Sequence, residues 1–483
     1  MKNFFKIVPM LFLAAACSES SIDLVPYNAV NETTVLQFPA DFNNFILGGY
    51  SYMVKNGGAN GYGQELLIDS EAATDNLILN PQGRQSNKDT YNFTNTANNS
   101  SFSFYNSAYR AALIANITLS QINKLPASAF KDNIAGEAYF IRAINYFEML
   151  RNYSKIPTQS ADANASLGIA YITSPLTIIR EPRTTVADCY AKVIADLNTA
   201  VTLIGNNSAA VAAGRANKAA VYGLLSRVHL YMGNYPACIA NADLALATAG
   251  APTNRAQFYT SANVGLWEDT ANTPGVVFKL VLNVVDGINP GVAYSQSVGT
   301  AIRSEYVVSK ELFDKYLITD IRKAAYFKTG VFATKTYNNV GKYDGRGANV
   351  RNLVDIKVIR VEEILLNKAE AQFKLNGSGL ASLDLVRSNR YLPFVTGNET
   401  GVALGNAIQL ERRLELAFEM DRFYTLKRLG LPLVRSTVDG HFSDGTGTPA
   451  VFTNLPANDF KWQFPIPQDE IDLNPVIQQN PGY

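Results

Sequence analysis

The stretch Tyr222-Gly223-Leu224-Leu225-Ser226-Arg227-Val228-His229, continuing Leu230-Tyr231-Met232-Gly233-Asn234-Tyr235-Pro236-Ala237-Cys238, decides the fold. Tyr222, Leu225, Ser226 and His229 recur at spacings of three and four, which puts them on one face of a helix. Gly233 and Tyr235 mark a turn, and Cys238 takes a small-residue position in a second helix. Small residues let two helices approach, and the aromatic side chains fill the groove between them. Ala242 stands where a second aromatic is usual, so the pattern is partial. His229 falls at the interhelical seam, which makes it a core histidine.

This spacing is that of a tetratricopeptide helix pair, and such pairs bury their faces only by stacking into an array. Weaker pairs are predicted at 104–123 with 133–152 and at 361–375 with 379–390. An apolar helical pattern begins around 40–54, ahead of the turn Gly57-Gly58-Ala59-Asn60-Gly61. Phe140, Ala143, Phe147 and Leu150 share one helical face, and Pro157 stops that element. Residues 185–204 and 216–249 read as helices. Residues 80–101 are rich in Asn, Gln, Ser and Thr and read as exposed loop. Residues 250–356 change character, with Gly, Pro, Asn and Tyr around short β-like runs such as 275–282. Helices return over 357–430, and a tail from 440 carries six prolines between Pro449 and Pro481. The expected fold is mainly α: a tetratricopeptide-like helical-repeat scaffold over 36–250 and 357–430. A loop-rich, partly β insertion over 250–356 would form the ligand face, giving one domain over 17–483.

The chain opens with Lys2 and Lys6, an apolar run Ile7–Leu13, then Ala14-Ala15-Ala16-Cys17. A basic start, a short apolar core and small residues before a cut site make a secretory signal over 1–16. Small residues directly before Cys17 suggest a lipobox, with Ala14 where Leu is usual. Lipidation of Cys17 would hold the chain on a membrane surface, since several acyl chains exceed the limit of reversible single-chain binding. Of 42 basic and 41 acidic residues the signal takes only Lys2 and Lys6, leaving 40 against 41 and a net charge of −1. Such balance speaks against nucleic-acid binding. Cys189 and Cys238 lie far apart in helical patterns and form neither a disulfide framework nor a metal motif, so they read as buried free thiols.

Catalytic signals are thin. There is no Gly-x-Ser-x-Gly elbow, His-Glu-x-x-His site, Walker loop or Gly-x-Gly-x-x-Gly after a strand. Glu362, Glu363, Glu411 and Glu415 sit on helices beside Arg360, Arg412 and Arg413, and read as ion pairs of the helix surface or core. The sequence implies no cofactor and no metal.

Four stretches carry a family resemblance. They are Gly136–Phe147 with Asn152-Tyr153 and Ile156-Pro157; Glu362–Ala371 with Leu385-Val386-Arg387; Glu411–Glu419 with Asp421–Gly430; and Phe464–Ile471 with Asn474-Pro475 and Gln479–Tyr483. In this order, behind the lipobox, they closely resemble the SusD/RagB family of Bacteroidetes surface lipoproteins. The resemblance implies a binding protein rather than an enzyme. Its implied partners are a SusC-like TonB-dependent transporter, an oligosaccharide ligand and the outer membrane, reached through the lipid anchor at Cys17 and facing the cell exterior. The lipoprotein would act as a hinged lid over the barrel, with peptide as the alternative cargo.

Sugars need flat apolar faces for C–H surfaces and amide or charged donors for hydroxyls. Candidates on loops are Asp75, Asn76, Arg84, Tyr91, Asn92 and Phe93 in the first loop region. The insertion offers Trp267, Tyr294, Arg303, Tyr306 and Tyr343. Each tyrosine also has a reading as a loop anchor. Trp267 precedes Glu268-Asp269, which suggests an exposed stacking platform against the other reading as core. Trp462, beside the terminal prolines, is expected to pack. Two rivals stand outside the family. A pure tetratricopeptide scaffold for a peptide partner would not need so long an insertion, and a surface hydrolase would need a catalytic cluster.

Overall fold

The structure is a computed structural model. It describes residues 35–483 apart from 56–60, 101, 103, 178, 206–212, 260–264, 270–274, 299–300 and 347–349. The signal sequence, Cys17 and most of the Gly57–Gly61 turn therefore lie outside the described residues.

Ten helices make the frame. They are α1 (Pro39–Val54), α2 (Phe104–Gln121), α3 (Ala129–Tyr153), α4 (Val186–Leu203), α5 (Lys218–Tyr231) and α6 (Tyr235–Ala249), then α7 (Val361–Asn376), α8 (Leu380–Arg387), α9 (Gly401–Glu415) and α10 (Arg422–Arg428). Each of α1 to α6 packs on the next, α7 packs on α6, and α8 and α9 pack on α7. This is the stacked array expected from the helix-pair pattern. The starts of α3 to α6 are fixed by Ser128, Thr185, Asn217 and Asn234, whose side chains accept from backbone N–H groups of the first turn. Those bonds satisfy donors that a helix start otherwise leaves open. Gly377 ends α7 at φ +75, a left-handed position that a side chain would strain.

Helix α3 runs through the middle. Phe140, Ala143, Phe147 and Leu150 are all fully buried, each large one contributing about 1.5–3 kcal/mol of apolar burial. Gly136 is there because a Cβ at that position would meet Ile204 Cγ1 at 2.6 Å. Glu137, Arg142, Glu148 and Arg151 of α3 are buried too, so they must be paired. Arg142 holds Asp196 at 2.6 Å, and Glu137 receives Arg215 at 2.8 Å. In the α5–α6 pair, Leu225, Cys238 and Ala242 are buried as the seam requires. His229 is 9% exposed on that seam. Cys189 and Cys238 are buried free thiols.

The acids of the two family stretches hold the second half together. Glu415 accepts from Arg360 at 2.9 Å, Arg390 at 2.9 Å and Arg322 at 3.1 Å, with all four side chains essentially out of solvent. Burial alone would push the Glu415 carboxyl up. The three guanidiniums more than offset that and hold it well below the usual range. Glu362 joins the same network through Arg360 and Arg390. Removing one member would strand a buried charge at a cost of about 3–5 kcal/mol.

Short antiparallel strands decorate the frame: β1 (Leu77–Leu79), β2 (Val276–Leu280), β3 (Tyr306–Val308), β4 (Phe327–Phe332), β5 (Lys335–Val340) and β6 (Ile356–Arg360). They pair as β1 with β3, β2 with β6, and β4 with β5. The tail returns to the centre. Phe464 donates to the Asn152 carbonyl at 3.0 Å and stacks on Phe102 with ring centroids 4.3 Å apart. Asn480 reaches the Tyr153 carbonyl at 2.8 Å.

Candidate functional site

The β1–β3 pairing sets Leu79 against Tyr306 and so carries the loop after β1 onto residues 303–305. Asn80 locks it there, donating from its backbone to Glu305 and from its side chain to the Ser304 carbonyl at 2.9 Å. Arg84 consequently reaches Glu305 through Nε at 2.7 Å. Its side chain stays 47% exposed. Arg303 lies two residues before Glu305, with its guanidinium 5.8 Å from the centre of the Phe332 ring. The β4–β5 hairpin brings up Tyr337, whose hydroxyl donates to Gln82 Oε1 at 3.4 Å and whose ring packs edge-on against Phe442. Phe332 and Phe442 are both half-buried. The result is a loop face with two rings, two guanidiniums and the amide of Gln82. Asn92, half-buried, also keeps access to solvent.

The other residues expected in the site are buried and act as supports. Asp75 pairs with Arg422 at 2.7 Å and Arg413 at 3.3 Å. Burial pushes its carboxyl up, and the Arg413 and Arg422 guanidiniums more than offset that, holding it below the usual range. Asn76, fully buried, accepts from Arg413 at 2.9 Å and donates to Glu71 at 3.2 Å. Tyr91 lies under the Arg435 guanidinium, and Phe93 packs on Phe452 with centroids 5.0 Å apart. Tyr294 and Tyr343 stack on each other at 5.7 Å, with hydroxyls donated to the Leu67 and Phe418 carbonyls. Tyr306 is fully buried beside Tyr91. These tyrosines are the loop anchors of the alternative reading.

Trp267 is a correction to the expected exposed platform, because it is only 2% exposed. Its ring meets Tyr326 and Tyr343 edge-on and has Lys342 at 4.6 Å and Arg360 at 5.6 Å from its centre. The acid that suggested a surface segment turns inward: Asp269 pairs with Lys357 and, at 2.7 Å, with Arg346. Trp462 packs as expected, fully buried against Phe423 and donating to the Pro456 carbonyl at 2.8 Å. Sequence reasoning missed Gln82, Phe332, Tyr337 and Phe442. They come from three distant segments that meet at Tyr337, and no local pattern marks that meeting.

Beneath this face runs a π-helical turn, Gly61–Asp69. It ends on Asp69, which is 1% exposed with neither carboxylate oxygen partnered among the described residues. Burial, then Glu65 and Glu305, raise its carboxyl well above the ordinary value. A neutral acid is the form such a site favours. Among the described residues no group of three His, Cys, Asp or Glu side chains is arranged to hold a metal ion. No described helix is long and apolar enough to cross a membrane.

Two family models match the chain. One, described as starch-binding and associating with the outer membrane, matches residues 22–230, and the SusD family model matches 294–483. SusD-like protein P2 of Formosa agariphila is 24% identical over 99% of both chains. A Bacteroides vulgatus structure described as a candidate sugar-binding protein superposes with a TM-score of 0.80 at 26% identity, covering 93% of this chain and 100% of that one. A structure described as a laminarin-binding SusD-like protein shares the fold with a TM-score of 0.68 at 19% identity, covering 92% of this chain and 99% of that one.

Proposed function

The chain belongs to the SusD family, and from that premise we propose that it is a surface lipoprotein that captures an oligosaccharide. It would hand this ligand, as a lid, to a SusC-like TonB-dependent transporter. The observation that carries this reading is the match of SusD models to both halves of the chain, alongside solved relatives described as sugar- or laminarin-binding. The anchor in this reading is Cys17. Mechanism is binding and motion, with no bond made or broken.

In this reading the ligand lies on the loop face. Phe332 and Phe442 offer apolar surface to sugar C–H groups, while Arg303, Arg84, Gln82 and Asn92 offer donors to hydroxyls. The candidates Asp75, Asn76, Tyr91, Phe93, Tyr294, Tyr306 and Tyr343, buried or nearly so, then hold that face in place from behind. A face fixed in advance loses less entropy on binding.

The test is calorimetry of the mature chain against laminarin and maltose oligosaccharides, with chromatography of each sugar afterwards. At least one sugar should bind and be recovered intact. Arg303→Ala and Phe442→Ala should each weaken it by about tenfold. Binding of peptides with no sugar bound would move the cargo to peptide, and any product would overturn the binding-only reading. Cys17→Ser should release a folded protein from the membrane, and protease treatment of whole cells should remove the unmutated one.

A further inference from the structure

A second candidate site lies away from the loop face and shares no residue with it. A cleft of about 700 Å³ opens between α2, residues 170–177 with Ile179 and Arg180, and the C-terminal stretch 470–477. That size suits a small ligand. Its wall is a run of tyrosines: Tyr105 to Tyr109 at 4.9 Å between ring centres, and Tyr109 to Tyr146 at 5.7 Å. These rings cannot turn freely. Tyr109 donates its hydroxyl to the Ala170 carbonyl and Tyr146 to the Ile172 carbonyl, each at 2.8 Å. Asn116 fastens the same segment, donating to the Ile172 carbonyl at 3.0 Å and the Ser174 carbonyl at 3.1 Å. Its own oxygen accepts from Arg142 at 2.9 Å. The cleft is thus a rigid concavity, shaped before any ligand arrives.

The charge at its rim is unusual for this chain. Most arginines here are neutralised by a carboxylate, as Arg142, Arg360, Arg390 and Arg412 are. Arg110 and Arg180, both exposed and both lining the cleft, form no salt bridge with a carboxylate among the described residues, though the Glu470 carboxyl feels the charge of Arg110. Arg110 is held at its base by Asn106 Oδ1, which accepts from Nε at 2.9 Å. That bond leaves the two terminal nitrogens of its guanidinium for a ligand. The one acid of the lining is Glu470, and burial raises its carboxyl. Two guanidiniums over a tyrosine wall match a ligand with flat C–H faces and anionic substituents.

We propose that this cleft binds an anionic oligosaccharide, one with a sugar ring lying on the half-buried Tyr109, which Tyr105 and Tyr146 back from beneath, and with carboxylate or sulfate groups that pair with Arg110 and Arg180. The proposal does not rest on the loop face being a ligand site.

The experiment is calorimetry of the mature chain with three probes of equal length: tetragalacturonate, a sulfated galactan tetrasaccharide and neutral maltotetraose. An anionic tetrasaccharide should bind more tightly than the neutral one, and rising salt should weaken it. Comparing the first two probes tells carboxylate from sulfate recognition. The double variant Arg110→Gln/Arg180→Gln changes only exposed side chains, so it should fold normally. It should lose at least about tenfold in affinity for the anionic probe. The loop-face variant Arg303→Ala/Phe442→Ala should bind that probe normally. The proposal is overturned if neither anionic probe binds, if maltotetraose binds equally well, or if the double variant binds unchanged. Loss of anionic binding in the loop-face variant alone would assign it to the other face.

Discussion

The guanidinium of Arg435 lies flat over the ring of Tyr91, 3.9 Å from its centre. The same group donates to four carbonyls: Thr74, Ala72 and Tyr91 at 2.8 Å each, and Phe452 at 3.1 Å. No carboxylate is among its hydrogen-bond partners; a buried cation here is satisfied by backbone oxygens and a π face. One side chain from beyond α10 therefore pins both ends of the segment 72–91, within which lies the loop that carries Arg84. Arg435→Met should leave those carbonyls unpaired and cost on the order of 3 kcal/mol or more. Arg435→Lys should recover only a fraction, because an ammonium has three donors and no planar fork to stack. Urea unfolding of the three proteins checks the order. Oligosaccharide affinity should fall in both variants at temperatures where they remain folded.

Glu71 gives a pH signature. It is fully buried, and burial raises its carboxyl to about 7, with Asn76 only partly countering and Asp421 adding to the rise. Its folded pKa lies above its unfolded value. Its contribution is therefore fully present below about pH 4.5 and is lost as pH rises towards 7. Glu71→Gln keeps an acceptor for Asn76 and removes the charge. The variant should gain on the parent by roughly 2–3 kcal/mol at pH 8 and by almost nothing at pH 4.5. Denaturant unfolding of both proteins at the two pH values measures the difference. A gain independent of pH would mean that Glu71 ionises in the folded protein just as it does in the unfolded chain.

The helical frame was legible because its information is local. Phe140, Ala143, Phe147 and Leu150 announce a buried face by spacing alone, and Cys238 and Ala242 announce a close helix contact by size. Two of the four family stretches were legible for another reason: Glu362 and Glu415 share Arg360, and Arg412 pairs with Asp421, in buried ion pairs whose geometry tolerates few substitutions. The loop face was much less so. Tyr91 and Tyr306 look the same in sequence whether they stack on sugar or on each other, and the choice is made by Arg435, more than a hundred residues further on. Phe332 and Tyr337 are placed by the register of β4 with β5, and Gln82 and Phe442 reach Tyr337 from loops far away in the sequence. The Arg110–Arg180 pair escaped notice because only the folded chain brings α2, Arg180 and the C-terminal stretch around one cleft.

Trp267 should behave as a core residue. Its ring is enclosed by Tyr326 and Tyr343, with Lys342, Lys357 and Arg360 within 6 Å of it among the cations. Trp267→Ala should cost about 3–5 kcal/mol through lost burial and the cavity left behind. Leu225→Ala, in the α5–α6 seam, should cost about 2–5 kcal/mol for the same reason. Neither should change oligosaccharide affinity when measured well below its melting temperature. A selective loss of affinity in the Trp267 variant, with stability kept, would mean that the indole reaches ligand after a movement of its segment.

The β4–β5 hairpin carries strain that its sequence need not have. Phe332 pairs with Lys335, so Ala333 and Thr334 alone make the turn, and both have positive φ, +48 and +67. Two left-handed residues define the tight turn whose twist suits a hairpin, and Asn followed by Gly is its favoured occupant. Alanine and especially β-branched threonine pay a penalty there, on the order of 1–2 kcal/mol each. The double change Ala333→Asn/Thr334→Gly should therefore raise stability by roughly 1–2 kcal/mol, seen as a higher melting temperature. Both side chains are exposed at the tip, so nothing else is lost. The same turn holds Phe332 near Arg303, and its backbone path should not change. Oligosaccharide affinity on the loop face should accordingly stay within about twofold of the parent. If stability falls instead, the side chains at 333 and 334 are making contacts that outweigh their backbone strain. If stability rises while affinity drops sharply, one of those two side chains itself touches the ligand, and the binding face extends to the hairpin tip.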